Sequence, residues 1–97
     1  MTAYVIADIE VTDPAGYAEY GKHVPATVEK YGGRFAVRGG KLEALEGGWA
    51  PKRAVVLEFP SYEQALKWYN SPEYAPLIKM RQKASKGRLF VVEGATK

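Results

Sequence analysis

Cysteine is absent from the 97 residues, and histidine occurs once, as His23. The first absence excludes a disulfide framework, a zinc ribbon, an iron–sulfur cluster and a thiol nucleophile. The second excludes a His-rich metal site within one chain, and leaves His23 as the sole axial ligand a haem could find. A Mg²⁺ or Ca²⁺ site built of carboxylates alone would need clustered Asp and Glu, and none has calcium-loop spacing. No metal and no resident cofactor is therefore expected. No apolar run approaches the roughly 18 residues of a membrane span. The opening Met-Thr-Ala-Tyr-Val-Ile-Ala-Asp lacks a basic segment, and Asp8 interrupts its apolar run. It does not read as a signal peptide, which makes the cytoplasm the default location.

What is present is ordinary for a globular protein: 46% hydrophobic residues, 26% charged residues and a formal net charge of +3. The length predicts a single domain over residues 1–97, with 93–97 as a frayed tail. A domain this small buries only about 60–65% of the surface its unfolded chain exposes, so its own core is marginal.

Ala3 to Val11 alternates and is rich in β-branched residues, which predicts a first strand. Asp13-Pro14 then supplies an N-cap and a first-turn proline. Tyr17, Tyr20, Val24, Val28 and Tyr31 follow at spacings of 3, 4, 4 and 3, one apolar stripe on a helix. Because the stripe keeps its phase across Pro25, one kinked helix is expected, ended by Gly32-Gly33. A second strand is predicted over Arg34–Arg38, with a bulge or bend at Gly39-Gly40 and renewed alternation over Lys41–Glu46. A third is expected over Arg53–Phe59. Ser61 and Gln64 sit at capping-box spacing before a helix with Tyr62, Ala65, Leu66 and Tyr69 on one face. Ser71-Pro72 starts another turn, Pro76 adds an irregularity, and Tyr74, Leu77, Ile78 and Arg81 share the next face. Arg88–Glu93 closes the chain as a last strand. The order β-α-β-β-α-β predicts an α+β, ferredoxin-like fold: a four-stranded antiparallel sheet with two helices on one face.

Alternation puts Val5, Ala7, Ile9, Val11, Phe35, Val37, Val55, Leu57 and Phe59 under the helices. It assigns Tyr4, Ile6, Asp8, Glu10, Arg34, Ala36, Arg38, Ala54, Val56 and Glu58 to the opposite face. Ile6, Val56 and an apolar pair of the last strand would there form an exposed patch, the mark of an interface. A two-fold homodimer, sheet against sheet, would cover it. Asp8, Arg38 and Glu58 would then be partly enclosed and would need partners or a ligand.

Four motifs follow one another in order: Tyr-Gly-Gly-Arg-Phe-Ala-Val-Arg-Gly-Gly (31–40), Leu-Glu-Gly-Gly-Trp-Ala-Pro-Lys-Arg (45–53), Leu-Glu-Phe-Pro-Ser (57–61) and Trp-Tyr-Asn-Ser-Pro-Glu-Tyr (68–74), with Arg81 beyond them. From about Tyr4 to Gly94 the chain resembles the bacterial family named domain of unknown function 1330. The resemblance implies a dimeric α+β barrel, in which two ferredoxin-like subunits join sheet to sheet, and it implies no particular activity. Related barrels include cofactor-free oxygenases, haem-degrading oxygenases and lactone isomerases, an analogy of fold only. The matching positions are Arg38, Glu46, Arg53, Glu58, Trp68, Tyr69, Ser71, Tyr74 and Arg81; His23 lies outside them and reads as solvent-exposed.

Among these, Arg38 and Arg81 could each grip a carboxylate in a bidentate fork. An internal salt bridge, for Arg81 to Glu58, Glu46 or Asp8, is the commoner fate of such an arginine. Trp68, Tyr69 and Tyr74 could wall a pocket for a flat ligand, although aromatics at helical spacing more often form core or interface. Tyr74 could donate a proton or anchor a ligand. Ser71 reads as a cap. Glu58 and Asp8 are the candidate general bases, provided that desolvation outweighs pairing with arginine. Lys79, Arg81, Lys83, Lys86 and Arg88 read as a basic helix end. The third strand lacks the interleaved aromatics of an RNA-recognition sheet, so no nucleic acid and no membrane partner is expected. The functional expectation is a homodimer binding a small acidic or aromatic metabolite, with a cofactor-independent enzyme as one form of it. A non-catalytic ligand-sensing or structural homodimer is the alternative.

Overall fold

Asp13 and Pro14 begin the first helix by simple local chemistry. In the computed structural model, which describes residues 1–95, the Asp13 carboxylate accepts the Gly16 N–H at 3.2 Å, and Pro14 occupies the first turn, where no amide donor is needed. The elements are β1 (Ala3–Val11), α1 (Pro14–Lys30), β2 (Arg34–Arg38), β3 (Ala54–Phe59), α2 (Tyr62–Tyr69), α3 (Ala75–Ala84) and β4 (Ser85–Glu93). All strand pairings are antiparallel, in the sheet order β2-β3-β1-β4, the ferredoxin-like arrangement expected from the sequence. The second helical segment is divided: α2 stops at Asn70, and a Ser71-centred turn separates it from α3. The Ser71 hydroxyl donates to the Trp68 carbonyl at 2.7 Å and accepts the Tyr74 N–H at 3.2 Å. Three helices, not two, thus cover the sheet.

α1 continues through Pro25 as one helix, and its stripe buries Tyr20, Val24 and Val28. Gly32 ends it at φ +81°, a conformation that suits glycine. The core joins these residues to Val5, Leu57 and Phe59 of the sheet and to Ala65, Trp68, Tyr74 and Leu77 of the second helical segment.

Three expectations need correction. Lys41–Glu46 forms no strand; the chain between β2 and β3 is irregular, with Gly47 and Gly48 at positive φ. β4 starts at Ser85, directly after α3 and three residues before the expected Arg88, so Lys86 joins Arg88 in the strand and the basic run is not confined to a helix end. The bulge lies inside β2: Phe35 opposes Leu57 and Val37 opposes Val56, which leaves Ala36 as the extra residue. Beyond it the alternation changes phase. Val37 turns to the open face, and Arg38, opposite Val55, turns to the helices. Of the predicted frayed tail, Gly94 is bonded through its N–H to the Thr2 carbonyl at 2.7 Å, while residues 96 and 97 lie outside the described residues.

Candidate ligand-binding site

Alternation places Val5, Ala7 and Ile9 beneath the helices, and the small Ala7 sits between two larger neighbours. Above this strand lies a cavity of about 330 Å³. Val55, Leu57 and Leu89 extend its floor, Tyr17, Tyr20 and Val24 of α1 form one wall, and Trp68 and Tyr74 close the end toward the core. Trp68 and Tyr74 stack with ring centres 4.1 Å apart. The indole N–H donates to the Thr27 hydroxyl at 3.0 Å, which in turn donates to the Val24 carbonyl at 2.8 Å, so the stack is tied to α1.

The lining is charged in one sense only. Arg38, Arg53, Arg81 and Lys22 reach it, and no Asp or Glu does. Arg81 is 5% exposed, and among the described residues it makes no ion pair and its buried Nε has no hydrogen-bond partner. Its backbone is fixed firmly: the Ser85 hydroxyl donates to the Arg81 carbonyl at 2.6 Å, and the Thr12 and Asp13 amides donate to the Ala84 carbonyl at 2.9 and 3.0 Å. A buried cation without a counter-charge costs several kcal/mol. The salt bridge expected for Arg81 is absent because its proposed partners are elsewhere. Asp8 pairs with Arg88, directly opposite on β4, at 3.2 Å; Glu58 pairs with Arg34, directly opposite on β2, at 2.7 Å; Glu46 is exposed in the β2–β3 connection.

Arg53 also carries a buried Nε without a partner, and its guanidinium lies 5.5 Å from the centre of the Tyr17 ring. It occupies the space in which a side chain on Gly39 would stand, since a Cβ there would fall 2.2–2.8 Å from its atoms. Arg38 lies over the Phe35 ring at 4.4 Å and donates to the Gly21 carbonyl at 2.7 Å. That carbonyl is free because its helical partner would be the amide of residue 25, which is proline. Pro25 thus provides the acceptor that holds Arg38 at the cavity rim.

Tyr20 and Tyr74 share a buried hydrogen bond of 2.8 Å between their hydroxyls. Burial pushes both phenols up from their ordinary value; for Tyr20 the neighbouring Tyr74 adds to this. For Tyr74 the bond from Tyr20, and then the charge of Arg81 and a hydrogen bond from its guanidinium, oppose the rise. Tyr20 is therefore the better donor within the pair, and near neutral pH both groups are protonated donors, not bases.

Of the residues singled out from sequence, Arg38, Arg81, Trp68 and Tyr74 surround one cavity. Tyr69 is half-exposed and lines a separate apolar hollow of about 260 Å³ with Leu66, Leu89 and Phe90. Asp8 and Glu58 are on the opposite sheet face, and the prediction that Arg38 joins them there is corrected by the β2 bulge. His23 is exposed, with Nε2 3.7 Å from the Glu19 carboxylate. Sequence reading passed over Arg53, Tyr17 and Tyr20 as site residues. The two tyrosines belong to the α1 stripe and were indistinguishable from core, whereas an arginine opening an apolar strand was a readable sign. Among the described residues no three His, Asp or Glu side chains gather as a metal site would require.

Solved structures share this architecture. A protein of unknown function from Rhodopseudomonas palustris superposes with a TM-score of 0.75 at 18% identity, covering 99% of this chain and 84% of that one. The cofactor-independent oxygenase SnoaB from Streptomyces nogalater gives 0.65 at 12% identity, covering 99% and 94%. A dimeric protein of unknown function and ferredoxin-like fold from Bacteroides fragilis gives 0.55 at 10% identity, covering 96% of each chain. At these identities the likeness is one of fold. A search of curated proteins found no match. The four ordered motifs and the fold they build are accounted for by one family model, matching residues 2–95: the chain belongs to the family described as domain of unknown function (DUF1330).

Proposed function

We propose that this protein binds a small organic anion with a flat or apolar body in the cavity between α1 and the sheet, and that it does so as a homodimer joined through the open sheet face. The observation that carries the first half is Arg81: a buried guanidinium, beside a protonated phenol pair and stacked aromatics, with no anion paired to it among the described residues. A carboxylate or enolate would complete it through charge-assisted hydrogen bonds, with Trp68 and Tyr74 flanking the ligand body. Binding, or chemistry that uses Tyr74 as an acid, is favoured over base catalysis, because Asp8 and Glu58 are on the other side of the sheet and paired. The likeness to SnoaB is compatible with a cofactor-independent reaction in such a cavity.

The homodimer is supported by the open face itself. Phe90, Ile6, Val56 and Val37 stand opposite one another in a row across all four strands, between the Asp8–Arg88 and Glu58–Arg34 pairs. The molecule is a slab 34 × 31 × 17 Å, and it exposes 6387 Å² against about 5500 Å² expected for a compact monomer of its mass. A dimeric neighbour of the same fold is consistent with this pairing.

Thermal unfolding tests the anion site. Benzoate at a hundredfold excess over its Kd should stabilise the protein by about 2.7 kcal/mol, whereas benzamide, its uncharged analogue, should not. Replacement Arg81→Met should abolish the benzoate effect. Equal stabilisation by benzamide and benzoate would refute the anion reading.

A further inference from the structure

Arg81 is not the sole unmatched cation in the cavity. Arg53 enters from just before β3, and among the described residues its buried Nε has no partner and its side chain takes part in no ion pair. The two guanidiniums belong to different parts of the lining. Arg53 lies against Tyr17; the Tyr17 and Tyr20 rings are 5.5 Å apart; the Tyr20 hydroxyl bonds that of Tyr74, whose phenol feels the charge of Arg81. A wall of three tyrosines therefore runs from one arginine to the other. Gly39 preserves the arrangement, since any side chain there would collide with the Arg53 guanidinium. Arg38 is already engaged with the Gly21 carbonyl, so Arg53 is the better placed of the two rim arginines to accept a new partner.

Building on the anion site proposed above, we infer that the ligand is two-ended: an organic dianion, such as an aromatic dicarboxylate, with one anionic group on Arg81, the other on Arg53, and an apolar body between them. One carboxylate would leave the second buried Nε unmatched; two would satisfy both. No covalent step is implied.

Isothermal titration of the intact protein with benzoate and with benzene-1,2-, 1,3- and 1,4-dicarboxylate tests this, the isomers acting as a ruler of charge separation. At least one dicarboxylate should bind about tenfold or more tightly than benzoate, as a second charge-assisted pair requires. Arg53→Met should reduce that advantage to less than about twofold. Equal binding of benzoate and all three dicarboxylates would overturn the two-ended ligand and leave the Arg81 site standing. A dicarboxylate preference that survives Arg53→Met would overturn the assignment to Arg53. Failure of every compound to bind would overturn both readings. The comparison of ligands on the unaltered protein decides the matter even if the variant folds poorly.

Discussion

Arginine is the residue on which this site turns, and its surroundings decide what each copy does. Arg34 and Arg88 have carboxylates directly across the sheet and are spent on them. Arg81, on a helix facing an apolar floor, has none. An uncompensated buried charge is a liability in the empty protein, and its replacement by an apolar side chain of similar volume is often stabilising. Arg81→Met should therefore raise stability by about 1–3 kcal/mol in urea melts run without organic anions. A loss of stability there would mean that the guanidinium's polar neighbours within the protein, Tyr74 first, outweigh the cost of its burial. Tyr74 illustrates the same dependence on context: burial keeps it a donor, and Arg81 moderates the effect.

At the scale of elements, two devices join the helices to each other and to the sheet. Glu73, in the turn before α3, pairs with Lys30 at the end of α1 and accepts the Tyr31 hydroxyl at 2.8 Å. These bonds, that to Lys30 foremost, hold the Glu73 carboxyl down to about 2, from an ordinary 4.5. Because the folded value is depressed, the contribution is complete above the unfolded value and is lost as pH falls from about 4.5 to about 2. Urea midpoints measured through that window should therefore drop less for Glu73→Gln than for the unaltered protein. The second device is Pro25, which frees the Gly21 carbonyl for Arg38. Pro25→Ala should restore a helical amide that competes with Arg38 for that carbonyl, and stabilise α1 by up to about 3 kcal/mol in urea melts. An unchanged urea midpoint would show that the bond from Arg38 already matches the helical one.

For the molecule as a whole, the decisive feature is a sheet with one face covered and one bare. The row Phe90–Ile6–Val56–Val37 carries no charge, while the rows beside it are neutralised by cross-strand pairs. Such a surface suits a second copy of itself. Phe90→Lys should shift sedimentation equilibrium from twice the 10.7 kDa chain mass to the monomer, with the cavity on the other face undisturbed. A wild-type chain that sediments as a monomer at micromolar concentration would remove the homodimer reading.

Local chemistry was enough to read β1, α1, the capped start of α2 and the order of the elements, since alternation, the helical stripe and the Asp13 and Ser61 caps act between neighbours in the chain. It also brought Arg38, Arg81, Trp68 and Tyr74 forward as residues to watch. Tertiary structure alone decided how they are used. The partners of Asp8 and Glu58 lie 80 and 24 residues away, so no local pattern could tell a general base from half of an ion pair. Ala36, one residue too many for the pairing of β2 with β3, reverses the phase of everything after it. That slip sends Arg38 from the open face to the cavity and completes the apolar row with Val37. A bulge is set by the strand it pairs with, and alternation read along one strand does not contain it.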